Sequence, residues 1–144
     1  MKTLLSITFS FCLLLTTFSL QADTGKPLPA YPALRVLLNT SGTVYSAFPG
    51  TRVSQESNST RVKVILTKTG GRAKADIKVS VQTQTPGLPP LTTVKKTYTF
   101  ENGNYTRTKT FILYKMKGKK AHVSIDNRSF SNKFQYTLKV EEIN

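Results

Sequence analysis

Apolar and polar side chains alternate along most of the chain from Leu34 onward. The segment KFQYTLKVE, residues 133–141, is the clearest example, since every second residue in it is apolar. The segments RVKVILTK (residues 61–68) and ADIKVSVQTQ (residues 75–84) follow the same period of two. A β-strand with one buried and one solvated face requires this pattern. No part of the chain shows a helical stripe, and the residue types that favour strands are abundant.

The alternation predicts about eight short strands. They span residues 34–39, 43–48, 60–69, 75–84, 93–101, 105–116, 120–126 and 133–142. Short strands at this spacing predict an all-β fold, an antiparallel β-sandwich with immunoglobulin-like architecture. A small β-barrel is the alternative. The alternation also places the cations of the domain on its outward faces.

Turn residues suggest how two of these strands are connected. Asn102-Gly103 suits a type I′ turn, which predicts that residues 97–120 form a two-stranded ribbon folded at this point. The loop TPGLPP, residues 85–90, is long and rich in proline. We expect it to cross from one sheet to the other and not to join hairpin neighbours.

The run FILY, residues 111–114, is apolar at four successive positions. A strand that is apolar on both faces is typical of the centre of a sheet, or of a strand covered by another segment such as an N-terminal arm. An exposed docking surface is the alternative.

The N-terminal residues have the character of a leader. Residues 1–22 combine a basic start, an apolar run and a small residue at Ala22, which predicts a signal peptide. Residues 23–33 contain three prolines and predict an extended arm. The remaining residues 34–144 are then a single β-sandwich domain. The only cysteine, Cys12, lies in the leader, so the mature domain is expected to lack disulfides.

The chain is strongly basic, with 21 Lys and Arg against 7 Asp and Glu and a formal net charge of +14. The summed field of such a chain attracts anions, so lipid headgroups, acidic polysaccharides, nucleic acids and acidic proteins are the expected partners. The charge also has a structural explanation, because lysines on outward faces and edge strands keep sheets from pairing with neighbouring molecules.

Catalytic patterns are scarce. His122, Ser124 and Asp126 share one face of a predicted strand, but alternate residues on a strand lie about 7 Å apart, so they are expected to form a polar sheet face and not a triad. Glu141 and Glu142 are adjacent and should point to opposite faces. The sequence therefore predicts no enzyme, no catalytic residue, no metal site and no cofactor.

Basic and aromatic residues concentrate in and just after the predicted ribbon. The candidate anion-binding residues are Lys95, Lys96, Arg107, Lys109, Lys117, Lys119 and Lys120. The candidate aromatic platform consists of Tyr98, Tyr105 and Tyr114. Such a surface can hold phosphate, sulfate or carboxylate groups, with rings available to stack on bases or sugars.

These features predict a secreted or periplasmic, non-catalytic binding module without a transmembrane segment in its mature chain. The first hypothesis is binding to an anionic polymer or surface, such as a polysaccharide, a lipid headgroup layer or a nucleic acid, with an affinity that falls as salt is added. The alternative is a protein-protein interaction or assembly module, such as an inhibitor or a surface-structure component, that uses an edge strand or the 85–90 loop.

Overall fold

The computed structural model describes residues 34–46 and 49–143, which form eight β-strands and no helix. The predicted signal peptide, residues 1–22, and the predicted arm, residues 23–33, lie outside the described residues. The strands are β1 (Val36–Val44), β2 (Gly50–Val53), β3 (Arg61–Gly70), β4 (Ala75–Thr83), β5 (Leu91–Phe100), β6 (Arg107–Tyr114), β7 (Lys120–Asn127) and β8 (Phe134–Ile143).

The strands form two antiparallel sheets of four strands each, in the orders β1-β8-β3-β6 and β2-β7-β4-β5. The predicted antiparallel β-sandwich of about eight strands is confirmed. Its connectivity is that of a jelly roll. In immunoglobulin domains the first two strands pair in one sheet, whereas here β1 and β2 belong to different sheets. The likeness to immunoglobulin domains is therefore limited to the architecture of two packed sheets.

The core lies between the two sheets and follows from the alternation in the sequence. Val62, Val64 and Leu66 of β3 are fully buried, and Ile77 and Val79 of β4 belong to the same apolar cluster. Burial of each such side chain stabilises the fold by about 1.5–3 kcal/mol relative to exposure. The period of two that predicted these strands is confirmed.

Six of the eight strands begin and end within two residues of their predicted bounds. The first two do not, because β1 runs without a break through residues 40–42, which the prediction leaves between its first two strands. Gly42 lies opposite Tyr136 of β8, and a Cβ atom on Gly42 would lie 2.9 Å from the hydroxyl oxygen of that tyrosine. Glycine is needed there for the close approach of the ring, not for a turn.

The predicted pairing within residues 97–120 is wrong. β5 pairs with β4 and β6 pairs with β3, so the two strands lie in different sheets. Each turns its apolar side inward, and the rings of Tyr98 and Phe111 meet across the sandwich with their centroids 6.4 Å apart. Gly103 does mark a turn, with φ of 128°. The chain crosses between the sheets at that turn because both apolar faces must be buried against each other.

The prediction for the loop at residues 85–90 is also wrong, because this loop joins β4 and β5, which are hairpin neighbours. The backbone N–H of Leu88 donates to the carbonyl oxygen of Thr85 at 3.1 Å, and Gly87 has φ of 77°. Proline followed by a glycine with positive φ is the signature of a type II turn. Pro86-Gly87 therefore reverses the chain within one sheet.

β6 is the edge strand of the first sheet, so the prediction that residues 111–114 are a central strand is wrong. Phe111 and Leu113 are buried, whereas Ile112 is 40% exposed and Tyr114 is 63% exposed. Within the described part of the chain, the outer side of this edge strand is open to solvent.

One lysine is buried in the core, contrary to the expectation that the cations lie on outward faces. Lys68 of β3 has no exposed surface. Its ammonium group donates to the carbonyl oxygens of Ala73, Glu101 and Gly103 at 3.0, 3.0 and 2.8 Å. The same group lies 4.2 Å from the centroid of the Tyr105 ring. Burial lowers the pKa of Lys68, and the three carbonyl groups and the ring replace the water that the ammonium loses.

Lys68→Met preserves most of the apolar stem but leaves the three carbonyl oxygens without their donor. We expect the free energy of unfolding to fall by about 2–4 kcal/mol, because an unsatisfied buried acceptor costs about 1–3 kcal/mol and removal of the buried charge offsets part of the loss. Chemical denaturation measures the change. Lys78→Met, on the exposed side of β4, is the control and should shift stability by less than about 0.5 kcal/mol. Equal stability of the two variants would contradict the role assigned to Lys68.

Candidate functional site

β5 and β6 are the edge strands of their sheets and lie on the same side of the sandwich. Two adjoining grooves run between them, with volumes of about 310 and 450 Å³. We refer to residues 94–98 and 109–115 as the β5–β6 face. The side chains that line the grooves are those of Lys95, Lys96, Thr97, Tyr98, Lys109, Thr110, Phe111, Ile112, Leu113, Tyr114 and Lys115.

A β-bulge in β5 sets the direction of its two lysines. Val79 of β4 lies opposite Lys96, and the next residue, Ser80, lies opposite Val94, so Lys95 is an extra residue in the strand. Directly opposed residues project from the same side of a sheet. Lys96 therefore shares the inward side with the buried Val79, and it lines both grooves between the two edge strands.

Lys109 of β6 occupies the opposite side of this opening. It pairs with Leu66 of β3, so it projects inward as well. Its ammonium nitrogen lies 4.8 Å from the centroid of the Tyr98 ring, and that ring packs edge-on against Phe111. A cation–π contact of this kind is worth about 0.5–1 kcal/mol at an exposed site. The aromatic pair thus holds Lys109 in place, and no carboxylate of the described residues neutralises its charge.

Ion pairs neutralise cations elsewhere on the molecule. Glu141 contacts the ammonium groups of Lys63 and Lys139 at 2.6 and 2.5 Å. The other pairs are Arg35–Glu142, Lys74–Glu101, Arg128–Asp76 and Arg128–Asp126. In residues 34–46 and 49–143, no ion pair includes a lysine of the β5–β6 face. The uncompensated charge of this face is therefore available to a ligand.

The structure brings together part of the predicted site. Lys95, Lys96, Lys109, Tyr98 and Tyr114 all line the two grooves. The other predicted residues do not line them. They are Arg107, Lys117, Lys119, Lys120 and Tyr105.

The residues outside the grooves have other positions. Arg107 lies at the far end of β6, opposite Lys68. Tyr105 covers the buried ammonium of Lys68, and its hydroxyl donates to the carbonyl oxygen of Glu101 at 2.9 Å. Lys119 belongs to the β6–β7 turn, where its carbonyl oxygen accepts from Ser57 N–H at 2.9 Å.

Lys115 lines the smaller groove and is absent from the predicted site. It follows β6 directly and has φ of 56°, in the left-handed region that few residues other than glycine adopt. Its position in the same basic run as Lys109 and Lys117 is the only signal in the sequence that points to it.

The polar face of β7 has the arrangement that the spacing predicts. No hydrogen bond in the described residues joins the side chains of His122, Ser124 and Asp126, and Asp126 instead lies 3.5 Å from the guanidinium of Arg128. The Nδ1 atom of His122 is buried and has no hydrogen-bond partner within the described residues. The described residues contain no cluster of three His, Cys, Asp or Glu side chains that is able to hold a metal ion.

The chain matches no protein-family model and is similar to no curated protein sequence. The described strands and loops include no helix that is long and apolar enough to cross a membrane.

The buried carboxylate of Glu141 makes the ion pairs of the first sheet dependent on pH. Hydrogen bonds from Lys139 and Lys63 lower its pKa below the ordinary value of 4.5. A carboxylate with a lowered pKa stabilises the fold fully above that ordinary value and loses this contribution as the pH falls through the folded-state pKa.

We therefore expect Glu141→Gln to lower the free energy of unfolding by about 1–3 kcal/mol at neutral pH, the usual range for hydrogen bonds to a charged group. The difference from the unmodified protein should shrink as the pH falls below 4.5, as measured by urea denaturation at a series of pH values. Glu56→Gln removes a carboxylate without an ion pair in the described residues and should have little effect throughout. If the stability difference between Glu141→Gln and the unmodified protein did not change with pH, the ion pairs of Glu141 with Lys63 and Lys139 would not be its cause.

Proposed function

We propose that this protein is an exported, non-catalytic binding module whose β5–β6 face binds an anionic lipid surface. One observation carries the proposal: lysines without carboxylate partners in the described residues surround apolar side chains that remain in solvent. Ile112 is 40% exposed and Tyr114 is 63% exposed. Lys95, Lys96 and Lys115 line the same groove as Ile112 and Tyr114.

The combination of charge and apolar surface favours a lipid layer over a dissolved polymer. Each lysine near an anionic membrane surface contributes about 1 kcal/mol of attraction. A polysaccharide or a nucleic acid also attracts lysines, but it offers no apolar layer in which Ile112 gains from burial. A tyrosine at the edge of such a contact places its ring at the boundary and its hydroxyl in water, as Tyr114 is able to do.

The proposal predicts binding to vesicles that contain an anionic lipid and weak binding to vesicles of a zwitterionic lipid alone. Lys95→Gln with Lys96→Gln should weaken binding by about 2 kcal/mol, or about thirtyfold, because two contributions of about 1 kcal/mol are lost. Lys78→Gln with Arg52→Gln removes the same charge from β4 and from β2, the edge strand at the opposite end of the second sheet, and is the matched control. Vesicle co-sedimentation measures the unmodified protein and both double variants, and equal losses in the two variants would show that net charge alone drives the interaction.

Ile112→Asn separates a lipid surface from an anionic polymer. It should weaken vesicle binding, because the asparagine gains nothing in the lipid layer, and leave retention on a heparin column unchanged. Added salt should release the protein from heparin completely but from vesicles only in part. Vesicle binding that is insensitive to Ile112→Asn would favour the polymer.

A second candidate function, addition of a partner strand, rests on the free edge of β5. Residues 91–97 of this strand are exposed at every position, and no strand of the described chain pairs with its outer edge. An extended segment of another protein can pair with such an edge through backbone hydrogen bonds. This function predicts a partner that is retained at high salt and that protects the amide groups of residues 91–97 from hydrogen exchange. The bulge at Lys95 opposes it, because bulges and lysines are devices that block edge pairing.

A further inference from the structure

A second cavity lies at one end of the sandwich, where four loops meet. It has a volume of about 470 Å³, within the usual range for ligand pockets. The loops are those between β1 and β2, between β3 and β4, between β5 and β6, and between β7 and β8. The lining residues that carry the argument are Tyr45, Arg72, Asn104, Phe130, Lys133 and Gln135. None of them lines the grooves of the β5–β6 face.

Two aromatic side chains at this cavity are strongly exposed. Phe130 is 99% exposed and Tyr45 is 63% exposed, so neither ring contributes much to the core. The loops that carry them are nevertheless tied together by hydrogen bonds. Ser46 donates from its hydroxyl to the carbonyl oxygen of Phe130 at 3.2 Å, and the side-chain amide of Asn127 donates to Val44 and Asn132. The two rings are thus presented to solvent by connected loops, as stacking surfaces require.

The polar lining of the cavity has hydrogen-bonding capacity to spare. The side-chain amides of Asn104 and Gln135 make no hydrogen bond within the described residues, although they approach the same point beside Gly70. A Cβ atom on Gly70 would lie 2.8 Å from the amide oxygen of Gln135 and 3.7 Å from that of Asn104. The glycine therefore keeps the space in front of both amide oxygens open, and amides placed in this way are suited to bind hydroxyl groups.

The charge of the cavity has one sign. Arg72 and Lys133 line it, neither has an ion-pair partner among the described residues, and no carboxylate is among the lining side chains. A guanidinium group is well suited to a carboxylate or a sulfate, which it can bind through two parallel hydrogen bonds. The cavity is thus complementary to a ligand with hydroxyl groups, an apolar ring face and at least one negative charge.

We propose that this loop-end cavity is a binding site for an acidic saccharide. The face of a sugar ring stacks on Phe130 or Tyr45, its hydroxyl groups bind the amides of Asn104 and Gln135, and its carboxylate or sulfate group binds Arg72 and Lys133. The site is separate from the β5–β6 face, and each can exist without the other.

Isothermal titration calorimetry tests the site with three probes of similar length: an oligogalacturonate, a heparin oligosaccharide and a neutral cello-oligosaccharide. At least one acidic probe should bind, and the neutral probe should bind at least about tenfold more weakly. The two acidic probes distinguish a carboxylate ligand from a sulfate ligand. Failure of both acidic probes to bind, or equal binding of the neutral one, would overturn the proposal.

The variants locate the binding. Phe130→Ala should weaken the acidic saccharide at least about tenfold without a change in thermal stability, because the ring is outside the core. Arg72→Gln should reduce the preference for the acidic over the neutral probe. The control is Lys95→Gln with Lys96→Gln, which should leave saccharide binding unchanged whether or not these lysines bind lipid. Loss of saccharide binding in this control, with normal binding by Phe130→Ala, would place the saccharide on the β5–β6 face and reject the loop-end site.

Discussion

The arrangement of the loop end depends on one buried charge, the ammonium group of Lys68. A charge inside an apolar core is tolerated only where polar groups replace its water, and here the backbone supplies them. The three carbonyl oxygens belong to the segment after β3 and to the β5–β6 crossing, so the charge joins two loops that are distant in sequence. Neither loop can move away without leaving the ammonium unsatisfied. The same two loops supply Arg72 and Asn104 to the loop-end cavity, so this contact inside the core fixes part of the surface as well.

The distribution of carboxylates, more than the number of lysines, gives the molecule its charged face. Five of the six acidic residues in the described chain form ion pairs with Arg35 just before β1, with cations of the first sheet, or with cations of the loops before β4 and after β7. The edge strands β5 and β6 receive none of this compensation. Protection of edges against unwanted pairing explains why lysines occur there. It does not explain why Ile112 and Tyr114 stay exposed among them, since apolar side chains at an unprotected edge increase the risk of aggregation.

The sequence contains most of the information on the strands and little on their partners. The period of two located β3, β4 and β8 because each has one buried face, and that requirement is local. Pairing is not local: Asn102-Gly103 and Pro86-Gly87 both signal turns, but only the packing of the whole sandwich decides that the first crosses between sheets and the second does not. Glycine is typical of turns, but Gly42 lies inside a strand and makes room for the ring of Tyr136. Lys68 belongs to the inward side of β3, yet its charge predicts a side chain that points to solvent. The local sequence does not reveal its burial, because the acceptors of its ammonium group come from residues 73–103.

The same limit applies to the candidate site. Local density of charge was enough to select Lys95, Lys96 and Lys109. The ring of Tyr105 contacts the buried Lys68, whereas the ring of Tyr98 contacts Lys109 at the groove. No neighbouring residue in the sequence reveals this difference. The loop-end cavity could not be found from the sequence at all, since its lining residues come from four separate loops and the start of β8 and become neighbours only when the strand order is known.

The strand order has a consequence for how the chain folds. β8 lies between β1 and β3, and β7 lies between β2 and β4, so the last two strands of the described chain occupy inner positions of both sheets. Neither sheet can be completed until nearly the whole chain is present, and the long loops that must close make such high-contact-order topologies slow to fold. A nascent chain of this kind remains unfolded for longer than one built from neighbouring hairpins. That delay would be compatible with the export that we propose, since an exported polypeptide has to pass a translocation pore before it acquires its shape.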